Sequence, residues 1–99
     1  MRFEFDWDEG KARTNRSKHG VAFEAAMTVF LDPLALSRPD YDSIDEERWI
    51  TIGEARSGEL LLVIHTFVDL EPDRALIRII SARRPTKREA DQYREEETP

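Results

Sequence analysis

The chain contains no cysteine, which removes disulfide frameworks, thiolate nucleophiles and zinc–cysteine sites from consideration. Histidine occurs only as His19 and His65, with no local ligand spacing, so no metal site is expected. Four glycines form neither a phosphate-cradling loop nor a nucleophile elbow, and no cofactor is implied. No apolar run approaches the roughly 18 residues of a membrane span. The opening Met1-Arg2-Phe3-Glu4-Phe5-Asp6 is too acidic and too short of apolar length for a secretory signal. The expectation is a cytoplasmic protein without membrane contact.

A net positive charge is also lacking. The 99 residues carry a net −6, which taken alone argues against a nucleic-acid binder. The charges are segregated, however. Lys11, Arg13, Arg16 and Lys18 occupy one acid-free window, and Arg83, Arg84, Lys87 and Arg88 another. Together they hold eight of the fifteen basic residues. Acids gather at 4–9, 40–47, 69–73 and 95–97. Such asymmetry is a better guide to partners than the sum.

The length suits one small domain, 1–99, with a modest core. Phe3, Phe5 and Trp7 alternate with Arg2, Glu4 and Asp6, a period of two that predicts an edge strand. Asp8 is a helix N-cap, and a polar helix should run from Glu9 to Lys18 or His19, closed by Gly20. Val21, Phe23, Ala26, Met27 and Phe30 have the spacing of a second helix, ended by Asp32-Pro33. The stretch 34–45 has turn chemistry and reads as a loop. Strands are expected over 48–53, 59–67 and 76–82, the last two joined by a turn at 68–74. Thr86 and Glu89 form a capping box that opens a closing helix, Lys87 to about Glu95. Glu95-Glu96-Glu97 oppose the helix dipole, so 94–99 should fray. The order β-α-α-β-β-β-α predicts an α+β domain with helices on an antiparallel sheet.

The most informative stretch is the passage from Leu76–Ala82 into the final helix. A buried strand ends there in cations, and Pro85 stops it. Arg83, Arg84, Lys87 and Arg88 converge on this corner, an arrangement suited to a polyanion. Arg78 within the strand requires a carboxylate partner or an opening into a groove, and alternation puts Ser81 on the other face. His65 reads either as a hydrogen-bonded core histidine or as a general acid or base at a strand end. His19 reads as a helix C-cap, or with Lys18 as a phosphate contact. Tyr93 is either a packing residue or a proton-handling phenol.

Phe5-Asp6-Trp7-Asp8, Lys11, Asn15, Lys18-His19-Gly20-Val21, Phe23-Glu24, Phe30, Asp32-Pro33, Glu47-Arg48, Ile52-Gly53, Arg78-Ile79-Ile80-Ser81-Ala82-Arg83, Glu89 and Tyr93 together resemble the BrnT toxins of type II toxin–antitoxin systems. The resemblance implies a RelE-like ribonuclease fold and a toxin that cleaves RNA without metal and inhibits translation. It also implies a hetero-oligomer with a BrnA-like ribbon-helix-helix antitoxin, through which alone operator DNA is bound. Phosphodiester cleavage needs proton handling and neutralisation of the phosphorane. On that reading His65, Arg83, Arg84 and Tyr93 are the expected catalytic residues. Lys18, His19, Arg78, Lys87 and Arg88 are the expected RNA-phosphate contacts, and Lys11, Arg13 and Arg16 the expected antitoxin surface. The competing reading is a non-catalytic module whose basic groove docks an acidic protein or nucleic acid.

Overall fold

The computed structural model describes residues 1–44 and 46–97. The sheet has six strands, β1 (Arg2–Asp6), β2 (Leu36–Pro39), β3 (Trp49–Glu54), β4 (Leu60–His65), β5 (Val68–Glu71) and β6 (Arg74–Arg83), of which β6 pairs with three. The sheet order is β1-β6-β4-β3-β2, and β5 also pairs with β6. One edge of β6 is shared, with β4 lying along Ile79–Arg83 and β5 along Arg74–Leu76. Helices α1 (Glu9–His19) and α2 (Phe23–Met27) and a 3-10 turn (Thr28–Leu31) follow β1, and α3 (Lys87–Glu97) closes the chain. Phe23, Ala26 and Val29 from the helical side meet Leu61, Val63, Ile77 and Ile79 from the sheet to form the core.

The α+β class is as expected, with three helices on one sheet. The sheet is mixed, however, not purely antiparallel. β1 runs parallel to β6, with Phe3 opposite Ala75 and Phe5 opposite Ile77. A period of two reveals a buried face but not strand direction, and the long intervening chain supplies the crossover that a parallel neighbour requires. Two strands fall where loops were expected. β2 is four residues ending at Pro39 on the open edge, so turn residues mask it. All four residues of β5 are exposed, which leaves no apolar alternation to detect. The order is therefore β-α-α-β-β-β-β-β-α. The second predicted helix is split, since α2 tightens into the 3-10 turn after Met27. α3 continues to Glu97, past its expected end near Glu95; residues 98 and 99, in the segment expected to fray, lie outside the described residues.

A bulge changes which residues of β6 face inward. His65 pairs with Ile79 but Ile64 pairs with Ser81, so one residue of β6 is left over. Ala82, not Ser81, then continues the buried row of Ala75, Ile77 and Ile79. Strict alternation, which set Arg78 and Ser81 on opposite faces, does not hold across the bulge. Gly53 serves a different need: a Cβ there would sit 2.8 Å from Val29 Cγ1 and 3.0 Å from Ala35 Cβ. Only glycine lets the 3-10 turn press this closely on β3.

α1 is polar along its length, and its one buried residue is Asn15. Where β1 has ended, Asn15 takes the place of a neighbouring strand. Its Nδ2 donates to Ala82 O at 2.8 Å and to Val21 O at 2.9 Å, while Ala82 N donates to its Oδ1 at 3.0 Å. The side-chain amide thus reproduces a ladder pair with the Ala82 peptide and ties down the α1–α2 link as well. Asn15→Ala should leave three buried backbone groups without partners. At roughly 1–3 kcal/mol for each orphaned group, a loss of about 3 kcal/mol or more is expected. For a domain of this size that lowers Tm by roughly 12–20 °C. Thermal and urea melts check it, and a shift below about 4 °C would show the clamp to be dispensable.

Candidate functional site

The two basic windows, 65 residues apart in sequence, meet in space. Arg84 donates from Nη1 to the His19 carbonyl at 3.0 Å, satisfying a free acceptor at the last turn of α1 with a cation, as the helix dipole favours. Gly20 turns the chain away in the left-handed region at φ 70°. The other side of the Arg84 guanidinium is held by Glu59, Nε to Oε1 at 2.6 Å. Beside this junction lies an open depression of about 650 Å³, lined by Asp8, Lys11, Arg13, Lys18 and His19 from the α1 side and by Ile80 and Ser81 from β6. Lys11 and Lys18 stand seven residues apart, two turns along one face of the helix. Lys11, expected on an antitoxin surface, therefore shares a hollow with the expected phosphate contacts Lys18 and His19. Arg16 is exposed on the same helix and does not line the hollow.

The corner beyond β6 differs from its sequence. Arg83 grips Glu89 with two bonds, Nη1 to Oε1 at 2.8 Å and Nη2 to Oε2 at 3.0 Å. Glu89 also accepts from Thr86 N at 2.8 Å, and Glu89 N donates to Thr86 Oγ1 at 3.2 Å. The capping box is thus present, and it is welded to the strand end. Lys87 pairs with Asp91 at 3.0 Å. Arg78 pairs with Asp6 at 2.6 Å, which is the carboxylate-partner alternative. Three of the four corner cations are therefore neutralised by acids that lie outside their window. Among the described residues, Arg88 forms no ion pair, and neither do Lys11, Arg13, Arg16 and Lys18. The unpaired positive charge lies mainly on α1.

His65 and Tyr93 are both buried. His65 Nδ1 lies 2.9 Å from Thr66 O, and Nε2 lies 2.7 Å from Thr51 Oγ1. A carbonyl only accepts, so Nδ1 carries the proton and Nε2 accepts from the Thr51 hydroxyl. Ser37 Oγ, 2.7 Å from Thr51 Oγ1, completes the chain. Burial pushes the imidazole pKa down, and the ring stands edge-on to Phe30 with centroids 4.8 Å apart. This is the neutral core histidine; it lies outside the α1 hollow. Tyr93 donates from its hydroxyl to Asp32 Oδ2 at 2.6 Å, an oxygen that also accepts from Glu54 N at 2.8 Å. Tyr93 thereby pins α3 to the loop after the 3-10 turn, and its ring borders a small apolar cleft of about 230 Å³ with Leu36, Ile50, Ile52 and Leu62.

Sequence reasoning used Asp8 only as a cap and left Ser81 without a role, yet both line the hollow. Only an uncommon feature hinted at this surface: an asparagine on the sheet-facing side of a polar helix, which fixes the face that turns inward.

The Arg83–Glu89 pair has a consequence for pH. The Arg83 guanidinium, with the Thr86 amide adding to it, pulls Glu89 from its ordinary 4.5 to about 2. A carboxylate with a depressed folded pKa stabilises the fold above its unfolded pKa, and that contribution fades as pH falls from about 4.5 towards 2. Because the pair is partly exposed, solvent screening cuts its worth to about 1–2 kcal/mol. Glu89→Gln should lose that amount at pH 7 and show a flatter decline in acid than the parent. Parallel urea titrations at pH 7 and pH 3 test this; equal pH slopes for the two proteins would count against it.

Residues 7–89 match the family described as "Ribonuclease toxin, BrnT, of type II toxin-antitoxin system". Among solved structures, the chain is similar to the Brucella abortus ribonuclease toxin BrnT, at 27% identity and a TM-score of 0.60. The similarity covers 88% of this chain and 100% of that one. No individual curated protein matches. Among the described residues, no helix is long and apolar enough to cross a membrane. The family's ribonuclease character decides between a catalytic toxin and a docking module in favour of the enzyme. On its sequence and its fold alike, the chain belongs to the BrnT family of ribonuclease toxins, with the antitoxin partner that a type II system entails.

Proposed function

We propose that this toxin cleaves RNA laid across the hollow between α1 and the end of β6, without a metal ion, and thereby inhibits translation in the cytoplasm. The observation that carries the proposal is the distribution of unpaired cations. Lys11 and Lys18 line an open hollow, and among the described residues neither ammonium forms an ion pair, whereas Arg83, Arg84 and Lys87 already hold acids. A phosphate gains most from a cation that need not abandon a partner to receive it. Arg83 and Arg84 then act as struts that brace the strand end beside the hollow. Arg88, exposed and unpaired among the described residues at the start of α3, extends the phosphate track.

The antitoxin in this reading is a BrnA-like ribbon-helix-helix protein that carries the operator-binding function of the pair. Its toxin-facing segment should be acidic, because α1 offers Arg13 and Arg16 unpaired. Covering α1 also covers the hollow, so one surface serves both silencing and substrate.

Two outcomes are expected. Lys11→Glu with Lys18→Glu should weaken RNA binding at least tenfold. It should also flatten the dependence of log affinity on log salt by about 1.4, at roughly 0.7 per lost phosphate contact on a single strand. Fluorescence anisotropy of labelled RNA over a salt series measures both, and an unchanged slope would remove RNA from this hollow. Arg13→Glu with Arg16→Glu should weaken the co-purified antitoxin complex and slow its association, since opposite charges steer encounter. The melting of the isolated toxin should barely move. A complex indifferent to that double reversal would place the antitoxin elsewhere.

A further inference from the structure

We propose that His19 is the catalytic base of the reaction, taking the proton from the RNA 2′-hydroxyl in the hollow beside α1; this rests on RNA lying in that hollow. The groups lining the hollow supply positive charge and proton donors in excess. Lys11, Arg13 and Lys18 are cations, and Ser81 is a hydroxyl. Proton acceptors are scarce. Asp8 is the one carboxylate there among the described residues, and it is spent as the cap of α1, its Oδ1 accepting from Lys11 N at 2.9 Å. That backbone bond lowers its pKa further, which makes it a poor base. The chain's other imidazole, His65, is buried with both ring nitrogens bonded. His19 is the remaining imidazole, and it lines the hollow with Lys18 beside it.

Its placement is rigid. Arg84 holds the His19 carbonyl at 3.0 Å, Glu59 holds Arg84 at 2.6 Å, and Gly20 ends the helix directly after it. The backbone that carries the ring is therefore fixed to the end of β6, and Arg84 is a positioning residue. The charged groups that share the hollow with His19 are Asp8, Lys11, Arg13 and Lys18, with Lys18 next to it in sequence, and Arg84, held by Glu59, stands at its backbone carbonyl.

The step balances as an internal transesterification. Neutral His19 takes the 2′-hydroxyl proton, and the 2′-oxygen forms a bond to phosphorus. The bond from phosphorus to the 5′-oxygen breaks. The leaving 5′-oxygen takes a proton from water, and the imidazolium returns its proton to the hydroxide so formed. The products are a 2′,3′-cyclic phosphate and a 5′-hydroxyl, while Lys11 and Lys18 neutralise the phosphorane.

The test compares cleavage rate with RNA affinity across pH 5–9 for the full-length toxin, His19→Gln and Arg84→Lys. The parent's rate should rise with pH along an acidic limb and then level. His19→Gln should bind RNA within about threefold of the parent, yet cleave on the order of 100-fold or more slowly and lose the acidic limb. Arg84→Lys should lower the rate and retain the limb. Matching thermal melts keep folding out of the comparison. A folded His19→Gln toxin with the parent's rate and pH limb overturns the assignment. Undiminished RNA affinity in the Lys11→Glu, Lys18→Glu toxin would instead overturn the hollow itself, so the two failures are distinguishable.

Discussion

The pairing of the Asn15 amide with the Ala82 peptide is the contact on which the placement of α1 against the sheet depends. A helix as polar as α1 buries too little apolar area to choose an orientation by hydrophobicity. It is oriented by hydrogen bonds that have one geometry. Those bonds leave from the edge of β6 that β1 no longer covers, and an unpaired backbone edge buried against a helix is costly. The sheet therefore needs the helix as much as the helix needs the sheet. Once Asn15 faces inward, Lys11 and Lys18 fall along its flank, because they lie four residues before and three residues after it.

Charge in this molecule plays two separate parts. The bidentate Arg83–Glu89 grip and the Arg84 bridge from Glu59 to the His19 carbonyl hold elements together. Cations so engaged are anchored through directional bonds, and freeing one for a phosphate would expose a partner. The cations of α1 have no such ties among the described residues. Counting positive residues in a window does not separate the two kinds, because the neutralising acids come from Glu59, Glu89 and Asp91. Glu59 is remote in sequence, and Glu89 and Asp91 are brought back onto the corner by the first turn of α3.

That is also where sequence reading reached its limit. The buried rows of β4 and β6, the Asp8 and Gly20 caps of α1, and the Thr86–Glu89 box were all legible, since each is a local pattern with a local cause. The meeting of 11–19 with 83–88 was not, because nothing local encodes which strand a helix will lie beside. β5 carries no buried residue and β2 only four residues, so neither had a pattern to read. The bulge opposite Ile64 and His65 breaks the alternation on which the facing of Ser81 had rested. The resemblance residues include Asn15, His19 and Arg83, and each has its own physical part in the structure. Asn15 clamps the helix to the sheet, His19 lines the hollow and Arg83 braces the strand end.

The net charge of −6 fits a nuclease once its layout along β6 is considered. At the first residue of that strand, Arg74 is ringed by Glu4 and Glu71, and Asp69 and Asp73 lie nearby in the β5–β6 hairpin. At its last residues the chain meets the cations of α1. Ten residues of extended strand separate the two ends by about 30 Å, several times the screening length of roughly 8 Å at physiological salt. A polyanion approaching the acidic end is repelled, and one approaching the basic end is drawn in, so the excess of acid sharpens the orientation of encounter. The same field suits an acidic inhibitor equally well. On the proposed reading, a surface that attracts RNA phosphates attracts carboxylates by the same physics, so occupancy by an acidic antitoxin segment would suffice to restrain the toxin.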